Sequence, residues 1–446
     1  MTGTISTTGT DRMKLGILGI DPRIALAVAS ATARGDTIVI ACDLRPDDPT
    51  AAAIGPDVPR DPSWEPLLDA RSCDAILVGT EGWCARRAEG VRALVQAGRT
   101  LLVSHPLELS MLWAYELDMI RADSGARLIP FLPERLHPFI GRLRSRIELG
   151  LAGAGPAGAV ETVTMERRLS DRSRSAVLTA LARDIDLVRA LTGDPARLST
   201  LGTGDADAAW GSLAVGFSGP AHLPVRWQAC RGREPGLRIT VTDAEGACTV
   251  DVPDQPSPDQ PGSDQLGSDQ LGLPWTWTDG THVETAAFDP GGAMLDQIRP
   301  RPDRLSPPAA APERVVGADV ERIPAATWPD AARAVELAET VPRSLAKGRA
   351  IDLHQEEFSE IGTFRGTMAS LGCGLVLGAL VLLVIATLVG GIARAAGWGF
   401  AERIAGAWPR IVLAALGVFL TLQLLPLLVG PARRPDDTPP PAGGRE

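Results

Sequence analysis

The first residues that could do chemistry lie in KLGILGIDPRIALAVASATA, at the turn between an apolar strand-like stretch and a helix-like stretch. Such a turn binds a dinucleotide when glycines spaced G-x-G-x-x-G let the backbone approach the pyrophosphate at the helix N-terminus. Gly19 is in place, but Asp21 and Ile24 occupy the other two glycine positions. Asp21 is a good helix N-cap and would satisfy the free N–H groups itself. It would also repel a phosphate by about 1–4 kcal/mol at about 4 Å, so we expect a capped helix here.

Three more polar residues end predicted strands. Asp43 follows TIVIAC, Thr80 follows DAILVG and His105 follows RTLLVS. An acid about 20 residues after the turn can bind a ribose, although an Asp that simply ends a strand is an equal alternative. His105 could exchange protons near neutral pH, but without an evident partner we favour a polar strand-end residue. An open cleft lined by these residues and Gly19 would indicate a working nucleotide site.

The elements that must position these residues form two patterns. From residue 14 to about 135, fully apolar strands alternate with helices, which predicts a parallel α/β sheet covered on both faces, a Rossmann-like domain. From 136 to 353, two helices are followed by several consecutive strands with partial alternation. That order predicts an α+β domain with a mostly antiparallel open sheet and helices on one face.

Other segments are too polar to bury a core. Residues 254–272 nearly repeat the motif DQPGS and predict a disordered loop. Residues 1–13 and 433–446 are predicted to be disordered ends, and 354–365 a linker.

Two uncharged runs near the C-terminus, 366–393 and 411–432, each exceed the roughly 20 residues that a helix needs to cross a bilayer. A buried core helix is the alternative for either run, but soluble helices rarely lack a polar face for so long. We predict a two-helix transmembrane hairpin over 366–432. Arginines lie in equal number between the two runs and outside them, so these charges do not decide the orientation of the hairpin in the membrane. The orientation then depends on the location of the N-terminal domain. That domain begins without an apolar export signal, so we expect it and both termini in the cytoplasm.

Composition excludes several classes of partner. The net charge is −10 and no Lys/Arg run forms a concentrated basic surface, so we expect no nucleic-acid binding. The six cysteines and five histidines are scattered. Their spacing favours reduced cytosolic thiols and predicts neither a zinc site nor a disulfide framework. Gly374 and Gly378 have the G-x-x-x-G spacing that permits close helix contact, which is compatible with a homo-oligomer.

The order of several stretches, from KLGILGI through DAILVGTEGWCARRAEGVRALVQAGRTLLVSHP to RDIDLVRALTG and ARAVELAETVPRSLAKGRAIDL, resembles the glucose–fructose oxidoreductase/inositol dehydrogenase (Gfo/Idh/MocA) family. The resemblance covers roughly residues 14–353. It implies an NAD(P)-dependent enzyme that acts on sugars or cyclitols. It also implies a nucleotide-binding domain followed by an open-sheet domain that carries much of the substrate site.

The family's catalytic motifs are altered. Its E-K-P motif falls on Ser104, His105 and Pro106, so a histidine replaces the catalytic lysine. Its D-x-x-x-H motif falls on Thr179 and Arg183. An arginine stays protonated and cannot act as a general acid or base.

Arg183 could bind an anion or carboxylate, or pair with Asp184 or Asp186 at the surface; we expect the ion pair. With three motifs altered, we interpret the chain as a membrane-anchored, oxidoreductase-like binding or scaffolding module without turnover. The alternative is an active NAD(P)-dependent dehydrogenase with a rebuilt site. In that case His105 and Arg183 would be the catalytic candidates. The candidate cofactor-binding residues are Gly19, Asp21, Asp43 and Thr80.

Overall fold

A computed structural model describes residues 12–353, except for 46–48, 70, 154–158, 203–209, 211–212, 220–222, 233, 255–271 and 300–322. It also describes residues 385, 388, 391–392 and 395–397. The chain divides into two compact units, Met1–His354 and Gln355–Glu446. The linker, the C-terminal tail and nearly all of the predicted loop at 254–272 lie outside the described residues. Within the predicted disordered N-terminus, Met13 is buried and its N–H bonds to Asp36, so order begins before the first strand.

Six parallel strands form the first sheet, in the order β3-β2-β1-β4-β5-β6. The strands are β1 Lys14–Leu18, β2 Thr37–Cys42, β3 Arg60–Asp61, β4 Ala75–Val78, β5 Thr100–Ser104 and β6 Arg127–Phe131. The helices between them are α1 Pro22–Ala33, α2 Ala85–Gln96 and α3 Met111–Ser124. This confirms the predicted Rossmann-like sheet. The strand order reverses between β1 and β4, which is where such sheets open a binding crevice at their carboxyl ends.

Nine strands form the second sheet, in the order β14-β13-β12-β11-β7-β10-β9-β8-β15. The strands are β7 Val160–Leu169, β8 Arg197–Leu201, β9 Ala214–Ser218, β10 Pro224–Arg231, β11 Gly236–Asp243, β12 Gly246–Pro253, β13 Trp275–Asp279, β14 His282–Ala286 and β15 Ile351–Asp352. All neighbouring pairs are antiparallel except β7 and β10, as predicted for a mostly antiparallel sheet. The helices α4 Pro138–Leu151 and α5 Arg174–Thr192 share one apolar core with this sheet.

Two later helices pack against the first sheet, and the second of them also reaches the core of the second sheet. In α6, Pro290–Ile298, the buried side chains pack with α1 in the core of the first sheet. The helix α7, Trp328–Lys347, places Trp328 in the first-sheet core and Leu337 in the second-sheet core. The segment 136–353 therefore supplies part of the core of the Rossmann-like sheet as well as the second sheet. The apolar faces of α6 and α7 are covered by the side chains of that first core.

No helix in the described part of the chain combines the length and the apolar character needed to cross a bilayer. The predicted hairpin at 366–432 lies almost entirely outside that part and stays a prediction.

Candidate functional site

Asp21 closes the N-terminus of α1. Its Oδ1 accepts hydrogen bonds from the N–H groups of Arg23 at 2.9 Å and Ile24 at 3.0 Å. Pro22 has no N–H, and the N–H of Ala25 bonds to the Asp21 carbonyl at 2.9 Å. The predicted N-cap is confirmed. Every donor in the first turn is used within the protein, so none is left for a phosphate.

The second oxygen of Asp21 faces the neighbouring strand. Its Oδ2 accepts from the N–H of Thr80 at 2.7 Å and from the Thr80 hydroxyl at 3.0 Å. The close approach requires Gly79, because a Cβ there would collide with the backbone of Ile20. The structure thus brings together the predicted residues Asp21 and Thr80. Their contact fixes the carboxylate over the helix end, where it is only 4% exposed.

Arg87, on α2, places its guanidinium beside Gly19, in the turn that follows β1. Its Nε donates to Asp43 Oδ2 at 2.7 Å and its Nη2 to the Asp43 carbonyl at 2.9 Å. Its Nη1 donates to the carbonyls of Gly79 and Glu81. Gly19 has a φ of 63°, and a Cβ on it would collide with the Arg87 guanidinium. The space that Gly19 leaves open is therefore occupied by the Arg87 guanidinium.

Sequence reasoning missed Arg87, although one signal points to it. Position 87 is in helical phase with the buried residues Val91, Leu94 and Val95, so an arginine there must enter the core face of α2. A buried arginine needs an acid. Asp43, the predicted ribose-binding acid, is that partner.

The carboxyl ends of β1, β4 and β6 face the second sheet across a cavity of about 430 Å³, which we call the inter-sheet cleft. Asp21, Thr80 and Arg183 all line it. Two other arginines in its wall are already paired. Arg23 makes two bonds to Glu134, at 2.8 and 3.0 Å, and Arg167 donates to Asp184 and Asp254.

Arg183 does not form the predicted ion pair. Asp184 is bound by Arg167 and Trp227, and Asp186 is bound by Arg135. Asp184 lies about 100° from Arg183 around the helix and is buried in the core. Asp186 is closer in helical phase, but it is buried and its carboxylate is already bound by Arg135, whereas Arg183 faces the cleft. Its Nε donates to the His105 carbonyl at 2.9 Å. Burial and the nearby Arg23 lower the pKa of Arg183 to about 10.

His105 lies behind Arg183 and is 2% exposed, with its Nε2 buried and without a partner in the described part of the chain. Burial, Arg183 and Arg23 lower the pKa of His105 to about 3. The two predicted catalytic residues are therefore in contact, and the imidazole is neutral at physiological pH. Among the described residues, no group of three or more His, Cys, Asp or Glu side chains is placed to hold a metal.

The low pKa of His105 predicts a pH dependence of stability. An unfolded histidine titrates near 6.5, so below that pH the unfolded state binds a proton that the folded state does not. Stability should fall as the pH falls from about 6.5 towards 3. Between about pH 6 and 4, the free energy of unfolding of the wild type in urea should fall by about 1 kcal/mol per pH unit more than that of His105→Gln. Parallel curves for the two proteins would contradict this assignment.

Comparisons with known proteins extend the structural result. No family model and no curated protein matches the sequence. Among solved structures, a myo-inositol dehydrogenase from Corynebacterium glutamicum is similar at a TM-score of 0.53 and 14% identity, over 77% of this chain and 99% of that one. GenD2 from gentamicin A biosynthesis, solved in complex with NAD, is similar at a TM-score of 0.53 and 18% identity, over 79% of this chain and 100% of that one. The chain has the fold of these oxidoreductases, in agreement with the resemblance stated above.

Proposed function

We propose that this chain is an oxidoreductase-fold protein that has lost its dinucleotide site and acts as a membrane-anchored binding or scaffolding module. The observation that carries the proposal is the filled turn. Asp21 uses the helix donors, and Arg87 occupies the space beside Gly19 and binds Asp43.

Binding of a dinucleotide would have to undo these contacts. Separating the buried Arg87 from Asp43 costs about 3–5 kcal/mol, and Asp21 adds repulsion of about 1–4 kcal/mol against a phosphate. Each ~1.4 kcal/mol weakens binding tenfold. The combined cost would therefore weaken binding by at least about a thousandfold relative to an open turn.

The test is a calorimetric titration of the full-length protein with NAD⁺, NADH, NADP⁺ and NADPH. GenD2, which was solved in complex with NAD, is the positive control for NAD under the same conditions. We expect no saturable binding to this chain up to about 1 mM. Micromolar binding of any of the four would overturn the proposal.

The second candidate is an active NAD(P)-dependent dehydrogenase of a sugar or cyclitol, with His105 as the proton carrier. The shared fold, including a relative solved with NAD, favours it. The buried, neutral imidazole is a poor acid at neutral pH, which weighs against it. Substrate-dependent formation of NAD(P)H that is lost in His105→Gln would support this candidate over the first.

The anchoring part of the proposal depends on residues 366–432 and their uncharged runs. The full-length protein should remain with membranes after alkaline extraction, and a chain that ends at residue 365 should not. Recovery of both chains in the extracted fraction would contradict anchoring. The N-terminal domain and both termini are proposed to lie in the cytoplasm.

A further inference from the structure

We propose that the inter-sheet cleft binds a small organic monocarboxylate, with the Arg183 guanidinium as its anchor. This inference rests on the proposed function, because it concerns the ligand of a binding module whose nucleotide turn is closed. It names the chemical class of that ligand, one negative charge on a carbon body.

Arg183 is the arginine of the cleft whose charge has no acidic partner among the described residues. Its Nε donates to the His105 carbonyl, and within the described part of the chain its two Nη groups make no hydrogen bond or ion pair. Arg23 and Arg167 each bind carboxylates through two or more nitrogens. A guanidinium held by its Nε, with two free Nη groups at a cavity wall, is suited to a planar carboxylate.

The helix α5 directs this side chain into the cleft. The residues of α5 that line the cavity follow helical spacing along one face: Ala176, Thr179, Ala180 and Arg183. The first three are small, so the guanidinium is the largest group on that face. A ligand that enters along α5 therefore meets the Arg183 charge without another bulky α5 side chain beside it.

The charges around Arg183 favour a monoanion over a dianion. Arg23, Glu134, Asp21 and Asp254 all act on its guanidinium. Glu134 offsets the charge of Arg23, and Arg167 offsets that of Asp254. Asp21 is bound by uncharged N–H and hydroxyl donors, so its negative charge is not offset in this way. One ligand charge would be matched by Arg183. A second would face the Asp21 carboxylate, at a cost of about 1–4 kcal/mol if the two charges approach to about 4 Å.

The remaining walls are suited to a carbon body. They include the apolar residues Leu26, Leu169, Val252, Trp275, Phe288 and Pro290. The cavity of about 430 Å³ is within the range of small-molecule sites, which are mostly apolar with a few placed polar groups. An organic acid would bury its body against these walls, whereas a bare inorganic anion would leave them empty.

The test is a calorimetric titration of the full-length protein with acetate, benzoate and D-glucuronate. Their neutral counterparts acetamide, benzamide and D-glucose are measured in parallel, together with phenyl phosphate as the dianion matched to benzoate. We expect benzoate or D-glucuronate to bind at least tenfold more tightly than its neutral counterpart and benzoate to bind more tightly than phenyl phosphate.

Variants assign the binding to Arg183. Arg183→Gln should weaken carboxylate binding at least tenfold. Arg183→Lys keeps the charge but not the planar guanidinium, so its affinity should lie between those of the wild type and Arg183→Gln. Arg86→Gln, on the exposed face of α2, is the matched control and should bind as the wild type does. Circular dichroism of each variant shows that the fold is kept.

Three results would overturn the inference: no carboxylate binds up to about 10 mM, Arg183→Gln binds as well as the wild type, or phenyl phosphate binds more tightly than benzoate. The nucleotide titration keeps the two proposals apart. Absence of both nucleotide and carboxylate binding refutes only the carboxylate site. Nucleotide binding refutes the closed turn, whatever the carboxylates do.

Discussion

Replacement of Asp184 by Ala should lower the free energy of unfolding by about 3–5 kcal/mol. The carboxylate is 1% exposed and accepts from Arg167 Nε at 2.8 Å, from Arg167 Nη2 and from Trp227 Nε1 at 2.8 Å. Removal of this carboxylate leaves the buried Arg167 paired with Asp254 and leaves the indole N–H of Trp227 without this acceptor. A buried cation that loses one of its two acids is costly because the interior cannot solvate it. Urea unfolding of the full-length protein measures the change.

The matched control is an exposed ion pair of the same residue types. Asp352 and Arg197 lie 3.4 Å apart, with side chains 74% and 60% exposed. Asp352→Ala should change the free energy of unfolding by less than about 0.5 kcal/mol, since exposed pairs contribute little. Similar losses for Asp184→Ala and Asp352→Ala would show that burial of the first pair adds nothing to stability.

Much of the architecture could be predicted because its signals are local. Fully apolar strands separated by helices indicated the parallel sheet, and Asp21 followed by Pro22 indicated the start of α1. Thr327, Pro329 and Asp330 similarly mark the start of α7 through a capping box. Each of these signals acts within a few residues of the backbone that it orders, so the sequence alone displays it.

Interactions between distant residues could not be predicted in the same way. Arg183 and Asp184 are adjacent in the chain, and yet one faces the cleft and the other binds Arg167 in the core. Helical phase restricts the choice, but only the packing of α5 on the second sheet decides which face is buried. The pairing of Arg87 with Asp43 likewise depends on how α2 docks beside β2.

The Arg87 contacts explain how the fold can persist without a nucleotide. Without Arg87, the Asp43 carboxylate and the carbonyls of Gly79 and Glu81 would lose this donor. The cost of about 1–3 kcal/mol for an unsatisfied buried group applies to the buried Gly79, whereas water reaches Asp43 and Glu81. One guanidinium donates to all of them. The protein's own side chain thus supplies hydrogen bonds that a bound ligand or water would otherwise supply.

Arg87→Ala should therefore lower the free energy of unfolding by about 3 kcal/mol, near the low end for breaking a buried pair. The arginine is almost fully buried, but the Asp43 side chain is 25% exposed, so water can solvate part of the charge that is left behind. Combining the variant with Asp43→Asn should recover part of the loss, because the unpaired charge is then removed. Asparagine also tolerates the φ of 50° at this position. Urea unfolding of the single and double variants gives the coupling between the two side chains.

The neighbouring Arg86 supplies the control, since it lies on the same turn of α2 with its side chain exposed. Arg86→Ala should change the free energy of unfolding by no more than about 0.5 kcal/mol. If Arg87→Ala costs no more than Arg86→Ala, the guanidinium does not hold the turn together. A dinucleotide could then displace the guanidinium at little cost, and Asp21 alone would oppose phosphate binding at the turn.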